Sequence, residues 1–239
     1  MNPIVIILAV VVIVLVVVLY YFFSTTATTL VPTASLKTVA PAITPITNPT
    51  YTSYSYGIWV NVNTWDSNVD KTIFSRQNNI RLYLDKNTPT LKCDIMMSDG
   101  KTQTMIITDN FPIQKWTHVI VSMDNQFMDI YLDGKLVKSQ RFYTPSAGGT
   151  TVGIMPKQPL DNPVPVYLGN SDSTLAPFTP FDAYVANFTR WTNPMDPQTA
   201  WNTYMSGNGG NSITKMASSY NVNLSILKNN VQTATYSLY

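Results

Sequence analysis

An uninterrupted apolar run, Ile4 to Phe23, lies near the start of this chain, and no charged side chain precedes Lys37. The run reads IVIILAVVVIVLVVVLYYFF. As a helix rising about 1.5 Å per residue it extends roughly 30 Å, the thickness of a bilayer's hydrocarbon core. Its many β-branched residues form helix poorly in water. Lipid overrides that preference, because every backbone N–H and C=O must be satisfied within the segment. Tyr20 and Tyr21 sit at the exit end, where aromatic rings favour the headgroup layer. Thr25-Thr26-Ala27 would serve as a signal-peptide cleavage site. The run, however, exceeds the roughly 7–15 residues of a signal core, and no Lys or Arg precedes it. Residues 1–23 are therefore expected to be a retained, single transmembrane anchor.

Residues 24–50 are rich in Thr, Ala and Pro, with Pro32, Pro41, Pro45 and Pro49 spaced through them. Proline excludes helix and favours extended chain, so the segment reads as an arm. At about 3.1 Å per residue it could reach on the order of 80 Å. Two readings stand: a disordered or glycosylated stalk, or an ordered arm laid along a partner through Leu30, Val31, Val39 and Ile43.

From Tyr51 onward the apolar period becomes two. Tyr54, Tyr56, Ile58, Val60 and Val62 fall on one strand face, and Ser55, Trp59 and Asn61 on the other. Further strands are predicted at 71–76, 79–86, 90–97, 102–108, 116–124, 127–133, 135–143, 164–169 and 182–190. Asp133-Gly134 is a two-residue hairpin signal, since both positions need φ > 0. Residues 144–163 read as a long loop. One short helix is predicted, capped by Asp196, opened by Pro197 and closed by Gly207. The segment 213–239 reads as a final strand or strand pair packed on the rest. Many short antiparallel strands with one helix imply an all-β sandwich.

Charged residues are 12% of the chain and the net charge is +2, which leaves no electrostatic footprint for nucleic acid. All 13 acidic residues are Asp. Cys93 is the only cysteine, so no intrachain disulfide can form. So weak a charge gives little self-repulsion and suits a protein packed among neighbours.

The block from about Tyr54 to Gly209 resembles a concanavalin A-like, laminin-G-like jelly roll. YGIWVNV is similar to that family's opening strand and KTIFSR…IRLYLD to its next two. FPIQKWTHVIVSMDNQFMDIYLDGKLVKS resembles its central signature, and VPVYLGN with FDAYVANFTRWTNPMDPQTAWNTYMSGNG its closing strands and helix. Ala183 stands where the family usually has Gly. The resemblance implies a laminin-G-like jelly roll over 51–212. An anchor, an arm and one such domain together also resemble membrane-linked virion proteins of large double-stranded DNA viruses.

Catalytic signals are weak. Glucanases of this fold use two carboxylates, commonly Glu, and the chain has no Glu. His118, the only histidine, alternates with Trp116 and Ile120 and reads as a packing residue. No Cys/His cluster offers a zinc site. Laminin-G relatives often bind Ca²⁺, for which Asp66, Asp70, Asp161, Asp172 and Asp182 are the candidates, although turn formation explains them as well. Among the tryptophans, Trp59, Trp116 and Trp201 read as core, leaving Trp65 and Trp191 as surface candidates for a glycan platform. No catalytic, cofactor or metal residue is assigned.

The expected function is non-enzymatic: a single-pass protein linking a bilayer to capsid or other shell proteins, as a minor capsid protein on a virion's internal membrane does. The alternative is a membrane-anchored, lectin-like glycan-binding module. Exposed aromatics with converging Asp and Asn at the sandwich's end loops would favour the second.

Overall fold

A computed structural model describes residues 11–16, 27–44, 46–68, 71–145, 149, 151–169, 180–208, 223–228 and 231–237. Two antiparallel sheets face each other. One has six strands in the order β1 (Ala27–Ser35), β13 (Ala183–Trp191), β2 (Tyr54–Val62), β7 (Thr117–Asp124), β8 (Phe127–Leu132) and β9 (Lys135–Arg141). The other has five, in the order β12 (Val166–Leu168), β3 (Lys71–Arg76), β4 (Ile80–Leu84), β5 (Leu91–Met96) and β6 (Thr102–Thr108).

The alternation read in the sequence decides which faces meet. Tyr54, Tyr56, Ile58, Val60 and Val62 all point into the core, where Phe74, Leu82, Cys93 and Ile95 of the second sheet face them. Tyr56 and Phe188 of the first sheet lie 5.2 and 5.0 Å from the Phe74 ring of the second. Aromatic packing across the two sheets thus forms the centre of the domain.

The Thr/Pro-rich segment has its partner within the chain. Residues 27–35 form β1, paired with β13 from Ala27↔Trp191 to Ser35↔Tyr184. Pro32 is tolerated because β1 is an edge strand, where a missing N–H leaves no ladder bond unmade. Leu36 and Ile46 are buried in the shared core, with Leu30, Val31 and Ile43 packed against it, whereas Val39 is exposed. Two buried arginines hold the rest of the segment. Arg190 donates to the carbonyls of Thr47 and Asn48, and Arg76 to those of Pro49 and Leu160. The expected division at residue 50 therefore crosses one continuous core, and the reach expected of a free arm is taken up in pairing.

The short helix α1 (Pro197–Met205) forms as its caps dictate. The Asp196 carboxylate accepts from the Thr199 N–H at 2.9 Å, and Gly207 leaves the helix at φ 78°. Its Ala200 face packs with Met195 on the outer face of the six-stranded sheet, over Ile120 and Tyr131. The expected loop 144–163 contains a small ladder, β10 (Tyr143–Pro145) with β11 (Thr151–Gly153). At the C-terminus β14 (Asn223–Lys228) and β15 (Val231–Ser237) form their own two-stranded sheet.

Residues 11–16 are helical and exposed. Most of the apolar run, and Asp70 and Asp172, lie outside the described residues. Among the described residues no helix is long and apolar enough to cross a membrane.

Candidate functional site

One end of the six-stranded sheet carries a cleft of about 410 Å³, lined by Thr108, Asn110, Pro112, Thr117, Leu132, Asp133, Lys135, Trp201 and Tyr204. Four elements build it: the chain leaving β6, the start of β7, the β8–β9 hairpin and α1. The hairpin turns at Asp133 (φ 46°) and Gly134 (φ 75°), the left-handed pair that the sequence demanded. Asp133 is fixed at both ends of its backbone and side chain. Its N–H donates to the His118 carbonyl and its carboxylate accepts from the His118 N–H, each at 2.9 Å. Lys115 Nζ lies 3.4 Å from the same carboxylate.

The helix approaches this turn closely. Tyr204 stacks 5.6 Å from Trp59, and Trp59 4.9 Å from His118, so four rings form a series: Trp201, Tyr204, Trp59, His118. The first is open to solvent and the last is buried: Trp201 is 40% exposed and His118 only 1%. Burial drives the His118 imidazole down to about 4, with the Asp133 charge opposing. It is therefore neutral at physiological pH, and its Nδ1 has no hydrogen-bond partner. It packs on the sheet's outer face beneath the helix, in the structural role that its sequence position suggested. At the cleft's rim, an indole face thus meets a carboxylate, an ammonium, an amide and the Thr108 hydroxyl, with Thr117 buried at the cleft's floor. That combination can stack on a flat ligand face and bond to polar groups at its edge.

A profile of the concanavalin A-like lectin/glucanases superfamily matches residues 37–200. The chain belongs to that superfamily. A comparison with curated proteins finds no match. Similar solved structures include a point mutant of HCR/D, at TM-score 0.50 and 15% identity, covering 69% of this chain and 39% of that one. The botulinum neurotoxin serotype D binding domain gives TM-score 0.49 and 14% identity, covering 70% and 40%. The binding domain of Paraclostridial Mosquitocidal Protein 1 gives 0.47 and 10%, covering 66% and 38%. This chain spans about two-fifths of the length of each of these chains. At such identities the likeness concerns the fold alone.

Within this superfamily fold, the two tryptophans singled out from the sequence fall at opposite ends of the same sheet. Trp191 pairs with Ser55 at the start of β2, and Trp65 lies beyond Val62 at its finish. Both are half-buried and committed to packing. Trp191 covers Gly57, where a Cβ would meet its ring at 2.8 Å. Trp65 lies under the ammonium of buried Lys71, 4.0 Å from its ring centroid. Trp201, assigned to the core by its helical stripe, is instead the open face of the cleft. Helix α1 lies along the hairpin end, so a residue one step around from buried Ala200 overhangs the turn.

The three Asp candidates for calcium among the described residues each accept a protein hydrogen bond. Asp66 accepts from Asn68 N–H, Asp161 from Asn162 N–H, and Asp182 from Asn63, Thr64 and Lys37. Among the described residues no group of three His, Cys, Asp or Glu could hold a metal ion. Ala183, at the family's usual glycine, is fully buried between Phe181 and Leu36, whose backbones bond to it.

Proposed function

We propose that the chain is a non-enzymatic recognition module, held at a membrane by residues 4–23, with glycans as the ligand class of the Trp201 cleft. The observation that carries this reading is the exposed indole of Trp201 placed beside Asn110, Asp133 and Lys135 in one open cleft. A sugar ring offers an apolar C–H face and a rim of hydroxyls, and such a cleft matches both. The superfamily name spans lectins and glucanases, and a chain without Glu lacks the usual carboxylate pair of the latter. The test is glycan capture by the full-length protein in mild detergent, compared with Trp201→Ala. Capture that falls about ten-fold or more, some 1.4 kcal/mol, in a variant that still folds cooperatively supports the reading. No capture by the wild type, or equal capture by both, sinks it.

A second reading, a structural link between a virion's internal membrane and its protein shell, is favoured by a different observation. Strand β9 is an edge of the six-stranded sheet and exposes both Leu136 and Val137. Such an edge can accept a strand from a neighbouring shell protein. Cross-links from Lys135 or Lys138 to shell subunits in intact particles would support it, and an edge freely labelled in those particles would count against it.

A further inference from the structure

Strand register places the start of β1 and a group of exposed apolar side chains at the same end of the domain, opposite the cleft. Ala27 pairs with Trp191, Trp191 with Ser55, Ser55 with Ser122 and Ser122 with Asp129. Phe127 lies two residues beyond that row, paired with Arg141. The cleft residues Thr117, Leu132 and Lys135 fall at the other end of the same strands, level with Val60 and Ser35 to within a residue or two.

The end carrying Phe127 exposes several large apolar side chains beside the polar turn Asp124-Asn125-Gln126. Phe127 is 48%, Tyr143 45% and Val152 51% exposed, and Tyr51 is exposed at the same end. The Arg141 guanidinium lies 5.7 Å from the Phe127 ring and 5.2 Å from the Tyr143 ring. Aromatic rings interleaved with an arginine are the side chains that favour a membrane's headgroup layer. Covalent connection supplies the occupant. Only residues 24–26 separate Phe23 from Ala27, so the apolar run ends within about 14 Å of the first residue of β1.

We propose that this end of the domain rests on the bilayer surface, with Phe127, Arg141 and Tyr143 at headgroup depth and the Trp201 cleft facing away. The proposal rests on the reading of residues 4–23 as an anchor. A domain so held is presented in a fixed orientation close to the membrane, in place of swinging on a stalk.

Site-directed fluorescence on the full-length protein in phosphatidylcholine vesicles tests this. Cys93 is fully buried, so a cysteine introduced at the surface is the one a probe will find. An environment-sensitive fluorophore is placed at Phe127→Cys, at Tyr143→Cys and, at the cleft end, at Lys135→Cys. Lipids spin-labelled at the headgroup should quench the first two strongly and leave the third unchanged. Equal quenching at all three positions, or none at Phe127 and Tyr143 in protein that co-floats with vesicles after alkaline carbonate washing, overturns the proposal while leaving the anchor intact. Protein that the carbonate wash strips from the vesicles overturns the anchor reading, and the proposal with it.

Discussion

A side chain at Gly134 would come within 3.0 Å of the Trp201 ring. The hairpin turn and the helix that builds the cleft are therefore in contact through the one residue type that fits between them. Gly134 also holds φ at 75°, a conformation that costs other residues about 1–2 kcal/mol and β-branched ones more. Gly134→Val should lower stability by roughly 2–4 kcal/mol, strain and displacement adding. Urea unfolding of the full-length protein in detergent reads the loss. A midpoint equal to wild type would show that neither the turn nor the helix contact matters.

His118 makes stability depend on pH. Its folded value lies near 4 and its unfolded value near 6.5, so between these limits the unfolded chain binds more protons. Stability is full above about pH 6.5 and falls as pH drops towards 4, by up to roughly 3 kcal/mol. The melting temperature should decline over that window, and His118→Phe should flatten the decline. A variant with the same slope as wild type would assign the dependence to other groups.

Arg190 fixes the segment that precedes β2. Arg190→Met removes both donors to the Thr47 and Asn48 carbonyls and should cost about 1.5–3 kcal/mol per bond to the charged group. Limited trypsin digestion should then cut at Lys37 much faster than in wild type, because the surface ion pair with Asp182 at 2.9 Å contributes little by itself. Unaltered cutting would show that pairing with β13 alone holds the segment.

Trp191 and Trp201 should behave oppositely. Trp191→Ala opens a void over Gly57 and Ile120 and should destabilise by roughly 2–3 kcal/mol, less than the 3–5 of a fully buried tryptophan. Trp201→Ala, at a more exposed rim, should cost less stability than Trp191→Ala and weaken ligand capture. The reverse pattern would exchange their roles.

Most of the sandwich was legible because its strands are half-buried, and burial on one face writes itself as alternation. β2 shows it plainly, with five core residues at every second position from Tyr54 to Val62. Asp133-Gly134 and Asp196-Pro197 were legible for another reason: their local chemistry permits few backbone conformations. β1 was not legible, because an edge strand needs neither strict alternation nor every N–H, and Pro32 with many threonines imitates a free linker. The cleft was missed where helix geometry met tertiary placement. Ala200, Trp201 and Tyr204 make an apolar stripe on paper, yet only the seating of α1 against Gly134 decides which of them is left uncovered. Trp65 and Trp191 are what remains once strands and helix claim the other three tryptophans, and nothing local announces Lys71 above one or Gly57 beneath the other.

The pairing of β1 with β13 also dictates an order of assembly. Strand β1, Ala27–Ser35, is made long before its partner, which ends at Trp191, and β2 waits for that same partner on its other side. Such distant pairings are slow to form, because the long intervening loop must be closed before any contact rewards it. The domain therefore cannot complete its six-stranded sheet as it emerges, and a chain halted short of residue 183 keeps two bare strand edges. Such edges recruit strands from other chains. Synthesis through Trp191 is what covers the edges that β1 and β2 otherwise leave bare.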